Sequence, residues 1–222
     1  MKKVLSLLLS SLLALSLAAC NGGTLSSNGN GASEPSTQSS EPPASEAPSG
    51  SEMPAGTSEP TTQAGRILIA YFSWSGNTER MAQMIQAETG GDLFEIAPAT
   101  PYTDDYNELL DIARQEQADD ARPELASQVE NWDSYDVVFV GYPDWWSDAP
   151  MLIYSFLETH NWEGKTLVPF CTSGGSGFGR SLDKLPDSAS GATVLEGLHV
   201  SGSRVEGAGE DIANWIGGLD LA

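Results

Sequence analysis

The chain has 222 residues, with 31 acidic side chains against 10 basic ones and a formal net charge of −21. So acidic a chain lacks the basic surface that phosphate backbones require, which argues against nucleic acid as a partner. The length allows one domain or two, but much of the N-terminal third does not read as domain material.

Residues 1–20 open on Lys2 and Lys3, continue through an apolar stretch to Leu17, and end Ala18-Ala19-Cys20. That pattern predicts a secretory signal. Its last four residues look like the lipobox of a bacterial lipoprotein, with Cys20 as the lipidated residue of the mature chain. The expected location is therefore the extracytoplasmic face of a membrane, reached through a lipid anchor. Residues 21–64 are rich in Ser, Gly, Pro, Thr and Glu, with no aromatic and no basic residue. Such a composition cannot bury enough apolar surface to offset ordering entropy, so a disordered linker is expected. Its root-mean-square reach is about 35 Å.

From residue 65 to residue 222 the pattern alternates strands and helices, which predicts one α/β domain with a doubly wound parallel sheet and right-handed crossovers. The apolar run Arg66–Phe72 reads as a first strand, and Asn77–Thr89 as a helix burying Met81, Met84 and Ile85. Asp92–Ile96 reads as the second strand. A second helix is expected over Asp104–Ala121, with Leu109, Leu110, Ile112 and Ala113 apolar and Pro123 just past its end. Asp136–Gly141 and Lys165–Phe170 are the third and fourth strands, with a helix over Ala149–Thr159 between them. A short helix around Phe178–Leu185, a fifth strand over Thr193–Val200 and a last helix over Glu210–Ile216 complete the domain.

Three of these strands end in loops with chemistry. The first ends in Ser73-Trp74-Ser75-Gly76-Asn77-Thr78, immediately before a helix. Hydroxyls together with the free N–H groups of a helix N-terminus make a phosphate cradle without any Lys or Arg. Ser73, Ser75 and Thr78 are the expected hydroxyl donors, with backbone N–H groups from Gly76, Asn77 and Thr78. The third strand ends in Pro143-Asp144-Trp145-Trp146, whose paired indoles suit a flat ring. The fourth ends in Cys171 and then Thr172-Ser173-Gly174-Gly175-Ser176, a loop rich in exposed backbone. In an open α/β sheet, ligands bind outside the carboxyl ends of strands. The three loops together describe a pocket for a flat, phosphorylated heterocycle.

In these motifs, from about Gly65 to the C-terminus, the chain resembles the flavodoxin-like family, in its short-chain form. The resemblance implies a five-stranded sheet in the order 2-1-3-4-5 and an FMN cofactor. It places the FMN phosphate in the Ser73–Thr78 loop, with the isoalloxazine ring between the other two. The ring's pyrimidine edge would meet backbone N–H groups of Thr172 to Ser176. The leading expectation is an electron carrier whose partner is a redox protein or a small acceptor such as a quinone. An FMN-dependent NAD(P)H:quinone or flavin reductase, and a flavin-free binding module, remain open alternatives.

Other features read as structural. Gly174 to Ser181 is one residue from a phosphate-binding P-loop, but Arg180 stands where that motif needs Lys. Cys171 reads as a small buried hydrophobe. His160 and His199 are lone histidines with surface or satisfied roles expected. Tyr102 and Tyr106 are expected near the mouth of the pocket.

Overall fold

The structure, a computed structural model, describes residues 65–221. The signal assigned to 1–20, its Cys20 and the linker assigned to 21–64 lie outside the described residues.

The first strand, β1 (Arg66–Tyr71), leads into α1 (Asn77–Thr89), and β2 (Asp92–Glu95) leads into α2 (Tyr106–Ala118). A longer strand, β3 (Tyr135–Pro143), precedes α3 (Met151–Thr159), and β4 (Thr166–Ser173) precedes α4 (Ser181–Ser188). Two short strands, β5 (Thr193–Val194) and β6 (Leu198–Ser201), come before the last helix, α5 (Gly209–Gly217). All pairings are parallel, in the order β2-β1-β3-β4-β5, with β6 also beside β4. The expected doubly wound sheet and its order are thus present.

The central strands β1, β3 and β4 bury both faces, which is why they read as unbroken apolar runs. One face packs Leu68, Ala70, Val138 and Val140 against Leu152, Phe156 and Leu157 of α3 and Leu185 of α4. The other packs Ile69, Phe139, Val168 and Phe170 against Met81 and Ile85 of α1 and Ile212 of α5. Met84, expected in this layer, is only partly buried at its edge.

The fifth strand departs from expectation. The predicted Thr193–Val200 run is split, and Pro169 in β4 supplies the reason. The carbonyls of Lys165 and Leu167 accept from Thr193 and Leu195, so the alternate residue Pro169 turns its backbone the same way. Proline has no N–H for the ladder. Leu195, Glu196 and Gly197 bulge at that point, and pairing resumes at Phe170 opposite Leu198. A Cβ on Gly197 would lie 2.8 Å from the Pro169 carbonyl oxygen, so glycine permits the close approach. The break leaves the fifth position of the sheet filled, and it carries β6 to the same end as the other loops.

Helix boundaries shift where a cap decides them. α2 starts at Tyr106 because the Asp105 carboxylate accepts from the N–H groups of Asn107 and Glu108. α3 starts at Met151, after Pro150, and α4 runs three residues beyond Leu185 despite Pro186.

Candidate functional site

At the carboxyl ends of β1, β3, β4 and β6 lies a cavity of about 440 Å³. The first turn contributes Ser75 and Asn77, and the loop after β3 contributes Pro143, Asp144 and Trp145. The end of β4 contributes Thr172, Ser173 and Gly174. A fourth wall comes from Ser201, Gly202 and Ser203. No cation is among these lining residues.

The turn before α1 has the features of an anion cradle. Gly76 caps the helix in the left-handed conformation (φ 83°) and offers no side chain to the first N–H groups. Glycine reaches that conformation without the Cβ clash that penalises other residues. Ser73 Oγ is buried and has no hydrogen-bond partner, an orphaned group that an oxyanion would satisfy. Asn77 donates from Nδ2 to Ser75 Oγ at 3.2 Å. A Cβ on Gly202 would sit 2.9 Å from that Asn77 nitrogen, so the far wall also approaches closely.

Two predicted residues of this turn point elsewhere. The Thr78 hydroxyl is buried and shares a 2.8 Å hydrogen bond with the Thr172 hydroxyl, tying the first turn to the β4 loop. The Trp74 indole N–H donates to the Thr103 carbonyl at 3.0 Å, and its ring leans on Tyr106. Neither side chain lines the cavity, although the backbone N–H of Thr78 lies in the first turn of α1.

The paired tryptophans separate. Trp145 lines the cavity and is held edge-on by Phe72 and Tyr102, each with ring centroids 5.3 Å away. Its carbonyl accepts from Gln117 Nε2 at 2.7 Å. Trp146 instead lies along α2, its indole N–H donating to the Leu110 carbonyl at 3.0 Å and its face covered by the Arg114 guanidinium. Trp146 and Ser147 have φ of 53° and 58°, unusual for residues with side chains, and the reversal they make turns the second indole away. With Tyr106, Leu109, Leu110 and Ala113 it lines a second, apolar cleft of about 300 Å³, which shares Asp144 and Trp145 with the first.

The strained reversal is fastened from beneath by Asp148, which is fully buried. Its Oδ1 accepts from Tyr154 at 2.6 Å and from the Ala149 N–H at 2.9 Å. Its Oδ2 accepts from Arg180 Nε at 2.9 Å and Lys184 Nζ at 2.5 Å. Burial alone would push this carboxyl up, but Lys184, Tyr154 and Arg180 together hold it below the ordinary carboxylate range. Arg180, the residue that spoils the P-loop likeness, therefore has a structural partner.

Asp144 is the contrasting carboxylate. Its Oδ2 accepts from the Ser176 hydroxyl at 2.5 Å, while its Oδ1 is buried without a partner. Burial pushes this carboxyl above the ordinary range, against the pull of Ser176 and the influence of His199. Gly175 and Gly177 both donate N–H groups to Ser173 Oγ, folding the β4 loop back on itself. Gly175 and Ser176 shape that loop without lining the cavity. Ser201–Ser203, His199 and Asp148 were missed by sequence reasoning. The first three residues had a usable signal, a Ser/Gly cluster directly after an apolar strand.

The flavodoxin family profile matches residues 66–219, almost all of the described domain. The chain belongs to the flavodoxin family. Among solved structures, a protein from Bacteroides eggerthii described as a flavoprotein is 42% identical, with 67% of this chain and 98% of that one aligned and a TM-score of 0.57. A second, from Bacteroides uniformis, is 32% identical over 70% of this chain and 99% of that one, with a TM-score of 0.63. A Lactobacillus acidophilus flavoprotein solved in complex with FMN is 26% identical over 65% and 98%, with a TM-score of 0.54. No curated protein matches the chain. A flavodoxin's flat, phosphorylated ligand suits the chemistry of this cavity: hydroxyls and helix N–H groups at one end, an indole and backbone loops at the other.

Proposed function

We propose that this flavodoxin binds FMN and serves as an electron carrier, lipid-anchored through Cys20 to the extracytoplasmic face of the membrane. The observation that carries the FMN reading is the orphaned, buried Ser73 hydroxyl in the turn before a helix N-terminus with no side-chain cap, next to a cavity that Ser75 and Asn77 of the same turn line and that has no lining cation. The FMN-bound relative from Lactobacillus acidophilus supports the same assignment.

Ser73 and Ser75 would hold the phosphate with the N–H groups of Gly76, Asn77 and Thr78, aligned dipoles sharing the charge that a cation would otherwise balance. Trp145 would flank the ring, and the backbone of Thr172 to Ser176 would meet its polar edge. Asp144 keeps a carboxyl close to the bound group, where negative charge disfavours an anionic reduced form. Bound FMN would supply reversible one- and two-electron redox chemistry; the protein supplies binding, orientation and electrostatics. Apart from Asp144, no side chain lining the cavity is a ready general acid or base, which favours a carrier.

A reductase is the second reading, and the apolar cleft sharing Trp145 and Asp144 is the observation in its favour. Such a cleft suits a small aromatic acceptor such as a quinone. The deciding experiment adds FMN to the purified protein, removes the excess and records the absorbance. Retained flavin absorbance is the expected result, and a colourless protein would sink the FMN reading in favour of a flavin-free module. Steady NAD(P)H oxidation by the flavin-loaded protein with quinone present would replace the carrier with the reductase.

A further inference from the structure

A serine hydroxyl has one hydrogen to give and two lone pairs to receive with. Ser173 Oγ receives the Gly175 N–H at 3.0 Å and the Gly177 N–H at 3.2 Å, which fills both lone pairs. Its third contact, to His199 Nε2 at 2.7 Å, must then be the serine donating to an unprotonated ring nitrogen. The proton of the neutral imidazole belongs on Nδ1. His199 is fixed in β6, in register opposite Cys171, so its Nε2 is a stationary acceptor.

We infer that His199 is a positioning residue for the flavin-receiving loop, holding Ser173–Gly177 in its folded-back form only while its Nε2 carries no proton. The inference rests on the FMN reading of the cavity, because Ser173 and Gly174 are the part of this loop that lines it. The loop has two other side-chain ties, from Ser176 to Asp144 on the neighbouring strand end and, more weakly, from the Cys171 thiol to the Gly177 carbonyl. Protonation of His199 converts the acceptor into a donor. Ser173 Oγ would then face three donors with two lone pairs, and its own hydrogen would lose its acceptor. One of the two glycine N–H bonds must release, and the loop loosens.

Three charged groups lie near His199 in the fold. Arg204 and Asp211 line a hollow with His199 on the α5 side, and they pair with each other at 3.5 Å. Asp144 acts on it from the end of β3. A cationic His199 is therefore attracted towards Asp144, which holds another tie of the same loop, so protonation disturbs two fastenings together. The loop is therefore expected to hold while His199 is neutral and to loosen when it takes up a proton.

The test uses the full-length protein, wild type, His199→Phe and His199→Gln. FMN dissociation constants are measured by fluorescence titration from pH 8 to pH 5. In the wild type the constant should rise about tenfold more than in H199Q, the scale of one hydrogen bond. H199Q keeps an acceptor that cannot titrate and should rescue binding at pH 8 to within about threefold of wild type. H199F should bind about tenfold more weakly at pH 8. The phosphate's own proton, exchanged near about pH 6, affects all three alike and cancels in the comparison. Wild type and H199Q following the same pH profile would overturn the inference, as would H199F binding like wild type. A second readout needs no flavin: nitrogen NMR of His199 should show Nε2 unprotonated at pH 8, and amide exchange at Gly175 and Gly177 should be faster in H199F than in H199Q. If FMN binds to none of the proteins but the NMR and exchange results hold, the FMN reading fails and the His199 role stands. An Nε2–H tautomer at pH 8 overturns the His199 role whatever the flavin result.

Discussion

The loop after β3 and the turn before α1 form two walls of one cavity, yet their hydrogen bonding is at opposite stages of completion. The β3 loop is fastened by a buried carboxylate with four donors on it, and its two left-handed residues are held by that arrangement. The α1 turn has an orphaned serine hydroxyl and a glycine cap with nothing on it. One wall is finished by the protein; the other is finished by what binds. A site built this way can keep its aromatic wall in place while the phosphate end stays open to exchange.

The comparison breaks if the buried carboxylate is dispensable. Asp148→Ala should lower the unfolding free energy by about 3 kcal/mol, the lower end for removing one partner of a buried ion pair, because Arg180 and Lys184 are about half exposed and can rehydrate. The urea midpoint should fall with an unchanged slope; an unmoved midpoint would mean that the β3 loop needs no fastening. Next in size is Gly179→Ala. A Cβ there would lie 2.2 Å from the Ser147 carbonyl oxygen at a φ of 55°, so the substitution should cost about 2 kcal/mol by overpacking and backbone strain. Thermal melts of the two proteins measure it.

The α1 turn should behave in the reverse way. Ser73→Ala removes a buried, unpaired hydroxyl, so the flavin-free protein should be unchanged or up to about 1 kcal/mol more stable, while FMN affinity falls about tenfold. A loss of stability without a loss of affinity would reassign Ser73 to the scaffold. The smallest effect separates the two carboxylates by the sign of their pH dependence. The Asp148 carboxyl is held below the ordinary range, so its contribution is present at neutral pH and is lost as pH falls through and below about 4. The Asp144 carboxyl is raised, so its contribution is present at low pH and is lost as pH rises upward from the ordinary range. Asp144→Asn should therefore flatten the stability profile just above about pH 4 and slightly stabilise the flavin-free protein at neutral pH, measured by urea melts across pH.

The fold was legible because β1, β3 and β4 are buried on both faces, and that burial writes itself into adjacent residues. Their terminal loops were legible for the same reason, since an apolar run that stops abruptly marks the place where a ligand can sit. What was hidden depended on partners distant in sequence. The interruption of the fifth strand is caused by Pro169, a residue of the neighbouring strand. The burial of Asp148 is tolerable only because Arg180 and Lys184 arrive from 32 and 36 residues away. Trp145 and Trp146 look equivalent in sequence, and only the left-handed backbone at Trp146 and Ser147 sends them to different clefts. His199 looked idle because its importance lies in the lone-pair count of Ser173.

Cys171 ends the β4 run and is buried, with its Sγ 3.4 Å from the Gly177 carbonyl, and burial pushes its thiol well above the usual range. It therefore lies directly under the segment that Ser173, Ser176 and His199 hold shut. A thiol so placed is silent to an alkylating reagent until that segment lifts. Among the described residues it is the sole cysteine, so the rate at which position 171 becomes labelled is a natural clock for the opening of the loop.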